Sequence, residues 1–78
     1  MRFPSKEQIT VLQERYPRGT KVELLGMNDP QAPPTGTMGE ILGIDDAGQI
    51  LVRWATGSSL SLIPSMDSFR IAEKGGQS

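Results

Sequence analysis

The chain has 78 residues, neither cysteine nor histidine, and eight basic side chains against nine acidic ones. That length makes one domain, and a chain so short hides only about 60% of the surface its unfolded form exposes. Disulfides, thiolate or imidazole metal sites, Ser-His nucleophile pairs and ordinary histidine acid–base chemistry are therefore excluded, so neither an enzyme nor a cofactor is expected.

The opening residues, Met1-Arg2-Phe3-Pro4-Ser5-Lys6-Glu7, lack the apolar centre of a signal peptide. No apolar run approaches the roughly 20 residues that a membrane span needs. A soluble, cytoplasmic protein with no membrane partner is the expectation. Ser5-Lys6-Glu7-Gln8 then matches a capping box, with Ser at the N-cap and Gln at the third helical position. Ile9, Leu12 and Tyr16 recur at helical spacing, with Val11 close to the same side, and Pro17 disfavours helical geometry at Tyr16. The spacing predicts a helix over residues 5–15 that lays its Ile9/Leu12/Tyr16 face on a β core. A helix this short is marginal alone. The other use for that face is a partner or a second copy.

Pro17-Arg18-Gly19 reads as a turn, and residues 20–25 as a first strand with Val22 and Leu24 inward. Up to Leu24 there are five basic residues against three acidic ones; from Leu25 onward there are three against six. The slight basic excess of the first third is feeble beside the dense stripes of nucleic-acid binders. Residues 26–37, GMNDPQAPPTGT, carry three prolines and two glycines. That composition rules out a central strand or a helix and predicts an ordered irregular loop. So long a loop in so small a domain suits a binding element; equally, prolines can make it a rigid arch that closes one end of a barrel.

Residues 38–44 read as a second strand in which Ile41 and Ile44 are three apart; a bulge near Gly43 brings both inward. Asp45-Asp46-Ala47-Gly48 is a turn, its acids serving as turn formers rather than metal ligands, since calcium-loop spacing is missing. Residues 48–62 form a hairpin around the lone tryptophan: Ile50, Val52 and Trp54 on one face, a turn through Gly57, then Leu60 and Leu62 on a return strand. Trp54 is read as a core anchor rather than a recognition platform. Residues 63–68 suit a tight helical turn, Phe69 and Ile71 a last strand, and residues 74–78 a flexible tail. Five short strands with a long loop after the first and a helical turn before the last predict a mostly β fold: a small five-stranded SH3-like barrel with one N-terminal helix, in a single domain over residues 1–73.

Tyr16-Pro17-Arg18-Gly19-Thr20, Asp29-Pro30, Pro33-Pro34 with Gly36-Thr37, and Gly57-Ser58-Ser59-Leu60 with Asp67 and Phe69 together resemble an uncharacterised family, the domain of unknown function four-three-one-four. Asn28, Ala55-Thr56 and Ser65-Met66 depart from its pattern. The resemblance implies a bacterial setting near phage or conjugative-element genes and no defined activity.

The function expected is a small binding module that meets another protein through the Pro/Gly-rich loop, with Met27, Asn28, Asp29, Gln31, Pro33 and Pro34 as contact residues. The alternative is a weak nucleic-acid-binding accessory protein of a phage or mobile element, with Arg15, Arg18, Lys21 and Arg53 on phosphates. Catalysis by Asp29, Asp45, Asp46 or Asp67 is not expected, and no metal is expected. The chain should be a monomer or a weak homodimer.

Overall fold

Two reciprocal hydrogen bonds start the helix. In the computed structural model, which describes residues 4–75, Ser5 Oγ accepts from the Gln8 N–H at 3.2 Å and Gln8 Oε1 accepts from the Ser5 N–H at 2.8 Å. The helix, α1, runs Lys6–Arg15. Tyr16 closes it, its N–H donating to the Leu12 carbonyl at 2.8 Å before Pro17 turns the chain away. No residue of α1 is buried. Ile9, Leu12 and Tyr16 are each half-buried, so the expected face does look inward. The Tyr16 ring leans on Phe69, centroids 5.5 Å apart at 57°, a tilted arrangement that aromatic quadrupoles favour. Pro4 and Leu12 lie over Gly48, where a Cβ would come within 3.1 Å of Pro4 Cγ.

Four strands follow: β1 (Lys21–Gly26), β2 (Met38–Ile44), β3 (Ile50–Trp54) and β4 (Ser68–Glu73). They form one antiparallel sheet in the order β3-β2-β1-β4. Period-two alternation sets the inner face, as expected for sheets with one side packed. Val22, Leu24, Ile41, Ile50, Val52, Trp54 and Leu62 are buried together, with Tyr16, Met27, Ile44 and Phe69 packed against them. The register shifts between Ile41 and Gly43, and this bulge turns both isoleucines to the core despite their odd spacing.

The hairpin around Trp54 holds only in part. Gly57 takes φ 93° and the Trp54 N–H donates to the Ser58 carbonyl at 3.0 Å, so the turn forms. The return segment is not a strand: it contributes one bridge, Ile50 to Leu62. Side chains hold both backbone groups of Leu60. The Trp54 indole N–H donates to its carbonyl at 2.8 Å, and its own N–H donates to Ser58 Oγ at 3.3 Å. A ladder cannot continue through a residue so engaged. The described residues therefore hold a four-stranded open sheet, where a closed barrel of five strands was expected.

Where a tight helical turn was expected over residues 63–68, residues 63–67 make a hydrogen-bonded turn that is not helical, and Ser68 already begins β4. The Ile63 carbonyl accepts from the Met66 and Asp67 N–H groups, and Asp67 Oδ2 accepts from the Ile63 N–H at 2.8 Å. The chain then returns along β1 as β4. At its end the Gly75 N–H donates to the Oγ1 of fully buried Thr20 at 3.1 Å. The first three residues, and residues 76–78 of the expected tail, lie outside the described part.

Trp54 faces Gly39 in register, and a Cβ at Gly39 would lie 2.5 Å from Val52 Cγ1 and 2.7 Å from Trp54 Cε3. Trp54→Ala should lower the unfolding free energy by about 3–5 kcal/mol, and Gly39→Ala by about 1–3 kcal/mol through overpacking. Urea denaturation checks both; a Gly39→Ala chain of unchanged stability would show that the indole does not rest on this strand.

Candidate functional site

The loop over residues 27–37 is built from two turns. Asp29 Oδ1 accepts from the Gln31 N–H at 2.8 Å, and the Asp29 carbonyl accepts from the Ala32 N–H at 3.0 Å. Asp at the first position and Pro30 at the second are what such a turn favours. In the second turn the Pro34 carbonyl accepts from both the N–H and the hydroxyl of Thr37, at 3.1 and 2.6 Å. Gly36 supplies the positive φ, 92°, that its third position needs. This turn is tied to β1, with the Gly36 N–H donating to the Leu24 carbonyl at 2.7 Å and the Leu24 N–H to the Thr37 carbonyl at 2.9 Å.

The six expected contact residues separate into two groups. Pro33 is buried, and Met27 is half-buried against the core. These two anchor the loop. Asn28, Asp29, Gln31 and Pro34 are exposed. Asp29 has a structural task as well, since its carboxylate holds the first turn. The outward groups able to meet a partner are thus an amide, a carboxylate, a second amide and a proline ring, on a backbone held by its own hydrogen bonds.

The basic residues are not gathered. Glu40 on β2 sits between Arg53 on β3 and Lys21 on β1: Arg53 Nη2 is 2.9 Å and Lys21 Nζ 3.8 Å from its Oε1. Arg70 pairs with Glu23 at 2.6 Å. The hydrogen bond from Arg53, then the charge of Lys21, holds the Glu40 carboxyl below its ordinary range. The outer face of the sheet therefore alternates in sign, with two of the four expected phosphate contacts sharing one carboxylate. Asp45 serves its turn, Oδ1 accepting from the Ala47 and Gln49 N–H groups at 3.0 and 2.8 Å. Among the described residues, no group of three or more acidic side chains stands close enough to hold a metal ion, and no helix is long and apolar enough to cross a membrane.

One feature was not foreseen. An open groove of about 850 Å³ runs beside α1, with Pro4, Val11 and Leu12 on one side and Ile63 and Pro64 on the other. Val11 is 50% exposed. Val11, expected close to the Ile9/Leu12/Tyr16 side, stands instead on the exposed flank of the helix.

Fold and loop define a small mostly β domain: one helix on a four-stranded antiparallel sheet, with a proline-rich loop between its first two strands. The family model for the domain of unknown function DUF4314 matches residues 5–72, and the chain belongs to that family. Searches of curated proteins and of solved structures returned no match.

Glu40 gives a pH test. Its folded pKa is depressed, so its stabilising effect is complete above the unfolded pKa and disappears as pH falls through the folded one. Glu40→Gln should be less stable than the parent at neutral pH and equal to it in acid. NMR titration should place the Glu40 midpoint below the ordinary carboxylate range, and Arg53→Ala should move it up.

Proposed function

We propose that this chain is a binding module that recognises another protein through residues 26–37, on a small SH3-like barrel. The carrying observation is the division of labour in the loop. Met27 and Pro33 are sunk in the fold, two turns and the ties to β1 fix the backbone, and Asn28, Gln31 and Pro34 face outward. A loop already ordered gives up less entropy on binding. The barrel reading draws support from the order of elements: β1, long loop, β2, tight turn, β3, the Leu62 bridge, the tight turn at residues 63–67, then β4 back against β1. The reading is one of recognition rather than catalysis, in a cytoplasmic setting.

Nucleic acid is the less favoured partner. Lys21 and Arg53 are already committed to Glu40, and a phosphate on that face would meet Glu23 and Glu40 as well.

The test is capture of partners from host lysate by immobilised parent protein and by a triple variant, Asn28→Ala, Gln31→Ala and Pro34→Ala. All three positions are exposed, so the fold should survive. Recovery of the partner should fall by about tenfold or more, the usual scale for loss of a binding hot spot. Equal recovery by the triple variant would sink the loop reading. Salt-dependent chemical-shift changes with a DNA duplex at low ionic strength would favour the nucleic-acid reading instead.

A further inference from the structure

We propose that the groove beside α1 is the contact surface for a second copy of this chain, with the two α1 helices antiparallel across a two-fold axis at Val11. The helix is poorly covered by its own domain. It has no buried residue, and Ile9, Leu12, Tyr16 and the preceding Pro4 are only half-buried. On its flank Glu7, Val11 and Arg15 follow one another at four-residue spacing, a single stripe along the helix. Glu7 and Val11 line the groove, and Arg15 continues the same flank beyond it. All three are exposed, and neither charge is in an ion pair among the described residues.

The order of that stripe selects the occupant. It reads acid, apolar, base. A polyanion would be repelled at Glu7, and a uniformly basic or acidic segment would gain at one end and lose at the other. The complementary stripe reads base, apolar, acid, and α1 run in the opposite direction supplies it. With Val11 on the axis, residues four before and four after it come together. Glu7 of each copy meets Arg15 of the other, giving two equivalent ion pairs, as an isologous contact requires. Each Val11 enters the groove of the other copy, against Ile63 and Pro64. One helix per copy is a small interface, so the association is weak and concentration-dependent.

Sedimentation equilibrium of the full chain, from micromolar to millimolar, tests this. The weight-average mass should rise from 8.5 kDa toward twice that value. Val11→Lys should hold the chain at the monomer mass with its circular dichroism unchanged. Glu7→Arg and Arg15→Glu should each weaken association by about tenfold, because each sets two like-charge pairs across the axis. Combining them should restore association to within about threefold of the parent. The combination also places a base in the first helical turn and an acid in the last, which disfavours the helix; recovery therefore cannot come from better folding. The proposal is overturned by a parent chain that stays monomeric throughout, by a dimer indifferent to Val11→Lys, or by single reversals that weaken association with no recovery in the pair.

Discussion

The close approach of the Trp54 indole to the β2 backbone at Gly39 is the contact on which most of this fold depends. The ring takes the space that a side chain at Gly39 would fill, lying on the strand itself. Among the seven buried apolar residues of the described part, one so large determines where the others go. Its N–H then reaches the Leu60 carbonyl and fixes the path of the chain after β3. One side chain thereby sets the β2–β3 pairing, closes the sheet's inner face and directs the segment that leads to Leu62. Glycine appears at position 39 for lack of volume rather than for its backbone freedom.

That packing has a consequence for the loop of residues 27–37. The loop leaves β1 and enters β2 one residue before the Gly39 pair, so its exit lies beside the Trp54 contact. Buried Pro33 and the two turns do the rest. A proline-rich segment is commonly read as linker. Here the prolines sit where their fixed geometry agrees with the turns, and the ordering comes from hydrogen bonds that a sequence motif describes well.

Local devices were legible in the sequence. Ser5 and Gln8 announce the helix start, the Ile50/Val52/Trp54 alternation gives the inner face, and the odd spacing of Ile41 and Ile44 demands the bulge that the register shows. What escaped reading depends on side chains reaching across the fold. Leu60 lies in an alternating pattern, yet the Ser58 hydroxyl and the Trp54 indole remove it from any ladder. Periodicity carries no trace of such bonds. Among the loop residues, composition could not separate Met27 and Pro33, which look inward, from Asn28 and Gln31, which look out. The groove beside α1 forms where residues 63–65 and the turn at Ala47-Gly48 meet the helix, and no local pattern encodes that meeting.

The pairing of β4 with β1 bears on how the chain reaches this state. The Glu23–Arg70 pair joins residues 47 apart and the Thr20–Gly75 bond residues 55 apart. The β2–β3 hairpin can form from neighbouring sequence, but β1 has its outer partner only when the far end of the chain arrives. Contacts at such separations require a large loop to close before they return any stabilisation, which places this topology among the slower small folders. Without β4 the edge of β1 that it covers would stand open, an unpaired row of backbone groups whose cover comes entirely from the far end of the chain.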